Sequence, residues 1–93
     1  MKKIIILGST GSIGSTLLNI IQKDKSKFKI ELLTANKNYK KLIKQIKNFN
    51  VKNVIINNKK SYLITKELLK KKNVNIYNNF SSIKKILKHK KID

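Results

Sequence analysis

The chain has 93 residues, with 23 basic and 4 acidic side chains and a formal net charge of +19. This length allows one small domain or a piece of a larger one, and the absence of Cys excludes a disulfide scaffold, a zinc knuckle and thiol catalysis. No apolar run reaches the length of a membrane span, and the first run stops at Gly8, too early for a signal peptide. These features are typical of a cytoplasmic protein.

The positive charge of the chain comes from a single type of residue. All 23 basic residues are Lys, and Lys, Ile and Asn together supply more than half of the chain. These three amino acids share A/T-rich codons, so compositional drift of the genome accounts for the lysines. A nucleic-acid binder usually presents Arg for bidentate contacts and clustered aromatic rings for stacking. The charge alone therefore does not favour a nucleic-acid function.

Apolar periodicity divides the chain into alternating strands and helices. In chain order it predicts a strand at 3–7, a helix ending near residue 23, a strand at 28–34, a helix at 39–50, a strand at 53–57, a helix at 60–72, a strand at 74–77 and a last helix after Ser81. The first run is continuously apolar, as expected for a central parallel strand buried on both faces.

The order β-α-β-α-β-α-β-α predicts an α/β fold, a Rossmann-like doubly wound parallel sheet. Such a sheet normally continues past its fourth strand, and Ile92-Asp93 resembles the approach to a fifth. We therefore expect an incomplete sheet, with residues 1–93 forming the N-terminal portion of a larger domain, either as a fragment of a longer protein or as a truncated gene product.

Three glycines lie where the first strand gives way to the first helix. Gly8 permits a tight turn through a positive φ, Gly11 lets the backbone approach a pyrophosphate, and Gly14 lets the helix pack closely on the strand. The free amides at the helix start, near Ser12 and Ile13, would then face phosphates along the helix dipole. The spacing G-x-x-G-x-x-G differs from the standard G-x-G-x-x-G. The alternative is a small Lys-rich nucleic-acid-binding module whose glycine turn is purely structural.

The turn after the second strand indicates which dinucleotide would bind. An NAD site usually places an acidic residue at this strand end, but residues 35–38 read Ala-Asn-Lys-Asn. Glu31 lies in mid-strand and is expected to point away from the tip. Lys37 could instead meet a 2′-phosphate, and Asn38 could hydrogen-bond it. The pattern favours NADP(H) over NAD(H).

At this point the sequence resembles the 1-deoxy-D-xylulose 5-phosphate reductoisomerase family. The resemblance lies in residues 1–14 with the loop Gly-Ser-Thr-Gly-Ser-Ile-Gly, in Leu18-Asn19-Ile20-Ile21, in Phe28 before the second strand, and in the Ala-Asn-Lys-Asn turn. It is sharp over residues 1–38 and is carried beyond them by the order and spacing of the elements.

The resemblance implies an enzyme that uses NADPH and Mg²⁺ or Mn²⁺. The family rearranges and reduces 1-deoxy-D-xylulose 5-phosphate to 2-C-methyl-D-erythritol 4-phosphate in non-mevalonate isoprenoid biosynthesis, and it is usually a homodimer. By resemblance, Thr10, Gly11, Ser12 and Ile13 hold the cofactor's phosphates and neighbouring groups. Asn36, Lys37 and Asn38 hold the adenosine ribose and the 2′-phosphate. The family often has Gly in place of Asn36, and Asn tolerates a left-handed backbone better than other residues.

The family's metal ligands, substrate-phosphate residues and flap lie further along than residue 93. The acidic and histidine residues present are scattered, and they are Asp24, Glu31, Glu67, His89 and Asp93. We therefore assign no catalytic and no metal residue here. The chain is expected to be the N-terminal portion of the NADPH-binding domain, without the catalytic and C-terminal domains, and to be inactive by itself.

Overall fold

The computed structural model of the chain describes residues 1–88. Within that range four strands alternate with four helices, which confirms the predicted order. The strands are β1 (Lys2–Ile6), β2 (Phe28–Ala35), β3 (Asn53–Ile56) and β4 (Asn75–Tyr77). The helices are α1 (Ser12–Gln22), α2 (Tyr39–Phe49), α3 (Lys59–Leu68) and α4 (Ser82–Leu87), and a 3₁₀ turn at Lys25–Lys27 precedes β2. The expected approach to a fifth strand, Ile92-Asp93, lies outside the described residues.

The four strands form one parallel sheet in the order β1-β2-β3-β4. On one face, α1, α2 and Leu69 at the end of α3 pack on Ile6, Leu33 and Val54. On the other face, α4 packs through Ile86 on buried side chains of β2 and β3. Helices on both faces make the sheet doubly wound, so the Rossmann-like α/β prediction is confirmed.

The middle of β2 departs from simple alternation. The pairing of β1 with β2 shifts between Ile4 and Ile5, so that Ile4 pairs with Ile30 and Ile5 with Leu32. Glu31 is the extra residue, and the bulge keeps Ile30 and Leu33 in the same core cluster. Glu31 is buried four residues before the end of β2 and pairs with Lys29 at 3.6 Å. It therefore lies well away from the carboxyl end of the sheet, as expected.

Helix α1 buries a narrower face than its apolar pattern predicts. Leu18 and Ile21 are buried, whereas Ile13, Leu17 and Ile20 form an exposed stripe, with Ile13 87% exposed. The strand order explains the difference, because β1 is an edge strand and nothing in the described residues lies beyond it. The prediction that the first strand is central and buried on both faces is therefore wrong for the described residues, in which β1 has mostly intermediate burial. None of the helices described here is long and apolar enough to cross a membrane.

Candidate functional site

Two of the three loop glycines are required by the fold. Gly8 has a φ of +65°, a conformation that L side chains rarely adopt. A Cβ atom on Gly14 would clash with the carbonyl oxygen of Gly8 and would lie 2.7 Å from the Cα of Ser9. The predicted tight turn at Gly8 is therefore confirmed. Gly14 does permit a close approach of α1, but the backbone that it approaches is the loop after β1, at Gly8 and Ser9, and not the strand itself.

Gly11 has a different environment. Its φ is −78° and its ψ 177°, which any residue can adopt. A Cβ atom there would meet the Gly8 carbonyl oxygen at 3.5 Å, an ordinary van der Waals contact. Nothing in the packing of the described chain requires a glycine at this exposed position. A bare backbone here is useful to a ligand that must approach closely.

The start of α1 offers amides without side-chain caps. Gly11 is the N-cap and has no side chain to accept from them, and the first intrahelical bond runs from the Ser15 amide to the Gly11 carbonyl oxygen. By contrast, Asn38 caps α2 and Asn58 caps α3 through their side-chain oxygens. The amides of Ser12 and Ile13 therefore remain as anion donors at the positive end of the α1 dipole.

The glycine loop is fastened to the end of β2. The Ser9 amide donates to the Thr34 carbonyl oxygen at 2.8 Å, and the Gly8 amide donates to Thr34 Oγ1 at 2.9 Å. Lys41 Nζ on α2 donates to the Thr10 carbonyl oxygen at 3.1 Å. Sequence reasoning missed Thr34 and Lys41, because the signal for both is a contact between segments distant in the chain.

The second predicted segment lies beside this loop. Asn36, Lys37 and Asn38 are exposed between β2 and α2, at the carboxyl end of the strand paired with β1. The Asn36 carbonyl oxygen accepts from the Asn58 amide at 2.9 Å, which ties the turn to the end of β3. Both predicted segments, Thr10 to Ile13 and Asn36 to Asn38, therefore lie at the carboxyl end of the sheet. This is where open α/β folds bind their ligands.

The structure adds two details about the asparagines of this turn. Among residues 1–88, the non-glycine residue with a positive φ is Asn50, so Asn36 does not use the left-handed conformation that Asn tolerates. Asn38 Oδ1 accepts from the Lys41 amide at 3.1 Å as the cap of α2. The Asn38 side chain therefore has its Nδ2 group as the donor for a ligand.

The acidic residues stay apart within the described part of the chain. No group of three or more His, Cys, Asp or Glu residues that could hold a metal occurs there. Asp24 pairs with Lys27 at 3.2 Å and Glu67 with Lys70 at 2.8 Å. The remaining candidates, His89 and Asp93, lie outside the described residues.

Comparison with known proteins places this geometry in a family. The family model described as 1-deoxy-D-xylulose 5-phosphate reductoisomerase matches residues 4–93. The reductoisomerase of Pelagibacter ubique is 64% identical over the whole chain, which covers 24% of that protein. That of Clostridium novyi is 43% identical over 82% of the chain and 20% of its own length. The chain thus spans about a quarter or less of these curated relatives.

Solved structures agree with the sequence matches. The Zymomonas mobilis reductoisomerase in complex with NADPH superposes with a TM-score of 0.82 at 29% identity, over 91% of this chain and 22% of that one. A reductoisomerase in complex with NADPH, fosmidomycin and magnesium superposes with a TM-score of 0.87 at 22% identity, over the whole chain and 23% of that one, and supports the fold. The match of the family model to nearly all of its residues shows that this chain belongs to the 1-deoxy-D-xylulose 5-phosphate reductoisomerase family.

Proposed function

We propose that the chain is the NADPH-binding portion of a cytoplasmic 1-deoxy-D-xylulose 5-phosphate reductoisomerase. That enzyme rearranges and reduces 1-deoxy-D-xylulose 5-phosphate to 2-C-methyl-D-erythritol 4-phosphate in non-mevalonate isoprenoid biosynthesis. The observation that carries the proposal is Gly11, an exposed glycine that the packing does not require, next to the α1 amides that lack side-chain caps. A phosphate fits this bare backbone and the positive end of the helix.

The cofactor's phosphates and neighbouring groups bind to Thr10, Gly11, Ser12 and Ile13. The backbone amides donate to the phosphate oxygens, and the absence of a Cβ atom at Gly11 leaves room for their approach. The adenosine ribose and its 2′-phosphate bind to Asn36, Lys37 and Asn38. Lys37 supplies a cation where an NAD site would hold a carboxylate, so the site prefers the phosphorylated cofactor. The NADPH complex of the Zymomonas mobilis relative supports NADPH as the cofactor.

The reacting groups belong to the longer enzyme. When bound, NADPH would supply the hydride. The residues of this chain bind and orient the cofactor at the carboxyl end of the sheet. Among residues 1–88, no group of acidic or histidine side chains fits Mg²⁺ or Mn²⁺. By family resemblance, the metal ligands and the contacts to the sugar-phosphate substrate lie in the domains beyond this portion, and the full-length enzyme is a homodimer. By itself the chain binds cofactor without turning over substrate. The comparisons give no support to the nucleic-acid-binding alternative.

Calorimetric titration with NADPH and NADH tests the proposal. We expect NADPH to bind more tightly, because a charge-assisted hydrogen bond from Lys37 to the 2′-phosphate has no counterpart in NADH. Lys37→Ala should weaken NADPH binding about tenfold and leave NADH binding unchanged. Lys40→Ala is the matched control, because Lys40 is an exposed lysine on the adjoining helix. Equal affinities for both cofactors would remove the role of Lys37, and binding of neither would overturn the proposed function.

A further inference from the structure

A buried polar pair connects the glycine loop to α2. Ser9 is fully buried, and its Oγ donates to Gln45 Oε1 at 2.7 Å. Gln45 Nε2 donates back to the Ser9 carbonyl oxygen at 2.8 Å, and Gln45 itself is 9% exposed. The two residues are 36 positions apart and satisfy each other through two hydrogen bonds. We call this pair the Ser9–Gln45 clamp.

We propose that Gln45 is a positioning residue for the cofactor, acting through the clamp on the phosphate-binding loop. The inference rests on the proposed function, because it assigns a role toward the NADPH held by that loop. Ser9 immediately precedes Thr10, the first residue assigned to the phosphates. Gln45 lies on the helix that Asn38 caps, immediately after the turn assigned to the 2′-phosphate. The clamp therefore ties the two halves of the cofactor site to one another.

The composition of α2 sets Gln45 apart. The other buried residues of this helix are Leu42 and Ile46, both packed in the larger core cluster. A buried carboxamide is tolerated only when its hydrogen bonds are made, and an apolar side chain of the same size would avoid that cost. The amide is thus a poor choice for packing and a good one for holding a backbone carbonyl at a set place.

Other side chains also hold the loop, but in the described chain none of them is a buried side chain of α2. Ser15 Oγ also donates to the Ser9 carbonyl oxygen, at 3.2 Å, and this bond lies between the loop and α1. Thr34 fastens Gly8 and Ser9 to β2. The Lys41 contact with Thr10 also reaches the loop from α2, but it lies at the exposed surface. Gln45 is the buried side chain through which α2 holds the loop in the described chain.

The test compares two isosteric variants that each replace a buried amide by an apolar side chain. Gln45→Met removes both bonds of the clamp. Asn53→Leu is the control, because Asn53 is also buried and amide-bonded, to the Glu31 carbonyl oxygen and to Asn75. It is the first residue of β3 and lies at the amino end of the parallel sheet, opposite the carboxyl end where the cofactor site lies. Circular dichroism and thermal unfolding establish that each variant is folded, and calorimetry gives Kd for NADPH and NADH.

We expect Gln45→Met to weaken NADPH and NADH binding alike, by about tenfold, while Asn53→Leu leaves both unchanged at a comparable loss of stability. Ser9→Ala removes one of the two bonds and should give a smaller loss. The double variant should bind no more weakly than Gln45→Met alone, because both changes act on one clamp. Amide hydrogen exchange without cofactor supplies a second measurement, in which Gln45→Met should accelerate exchange at Ser9 and Gly11 and Asn53→Leu should not.

The outcomes separate this inference from the proposed function. If the unsubstituted chain binds NADPH and Gln45→Met binds it equally well, with unchanged exchange in the loop, the positioning role is wrong and the NADPH site stands. If Gln45→Met does not fold, Ser9→Ala and the loop exchange rates decide, and unchanged values in Ser9→Ala contradict the role. If the unsubstituted chain binds neither cofactor, the proposed function fails and the positioning role fails with it.

Discussion

At the scale of single residues, the three loop glycines have separable roles although their spacing is regular. Gly8 needs its positive φ and Gly14 its missing side chain for the fold itself. Gly11 needs neither, because its backbone is extended and its surroundings are open. Stability and cofactor binding should therefore respond differently to the same substitution at two positions three residues apart.

Gly14→Ala should lower the free energy of unfolding by about 3 kcal/mol, because its Cβ would meet backbone atoms that cannot rotate away. Gly11→Ala should leave stability unchanged or raise it by up to about 1 kcal/mol, because alanine adopts the same φ with less freedom when unfolded. Urea unfolding measures both. Calorimetry should show weakened NADPH binding in Gly11→Ala, and unimpaired binding there would remove the ligand from this part of the loop.

The same residues show what spacing alone can predict. Gly8 and Gly14 follow from the strand–turn–helix pattern, because local geometry determines their roles. Thr34, Lys41 and Gln45 do not, since each acts through a contact between segments 26 to 36 residues apart. For Lys41 the residue type gives no signal either, because the chain has 23 lysines.

At the scale of elements, the helices differ in whether a side chain caps their first backbone amides. Asn38 and Asn58 each accept from the amide three residues later, at 3.1 and 3.0 Å. They are equivalent caps on two neighbouring helices, yet only Asn38 lies in the turn assigned to the cofactor. Asn58 is therefore the matched control for Asn38, because Asn38 both caps a helix and is assigned to the cofactor.

Asn38→Ala and Asn58→Ala should each lower the free energy of unfolding by about 1 kcal/mol, the usual contribution of an N-cap side chain. Only Asn38→Ala should also weaken NADPH binding, because it removes the Nδ2 donor of the turn. Thermal unfolding and calorimetry on the same samples compare the two effects. Equal cofactor affinity in the two variants would show that Asn38 serves α2 alone.

Element order could be predicted more securely than element ends. Within residues 1–88 the alternating apolar pattern locates the four strands and four α-helices. It extends the third helix to residue 72, however, whereas α3 ends at Leu68 and residues 69–71 form a turn. Lysine is a good helix former, so the Lys70-Lys71-Lys72 run carries no local stop signal. The bulge at Glu31 is likewise invisible, because it depends on the register with β1.

At the scale of the whole molecule, charge opposes folding. The chain has 23 lysines and 4 acidic residues, so most lysines have no carboxylate to pair with. They lie mainly on exposed helix faces and loops of a molecule 33 Å in its longest dimension. At low ionic strength the Debye length approaches this size, and the charges repel one another across the whole fold.

Salt should therefore stabilise this chain. Raising NaCl from about 0.01 M to about 0.5 M shortens the Debye length from about 30 Å to a few ångströms. Tm should rise by several degrees, about 4–8 °C for each kcal/mol of repulsion removed in a domain of this size. MgCl₂ at equal ionic strength should give the same rise if screening is the cause. A Tm that falls or stays level with NaCl would contradict the repulsion. A response to millimolar phosphate far above that to chloride at matched ionic strength would instead indicate anion binding at the start of α1.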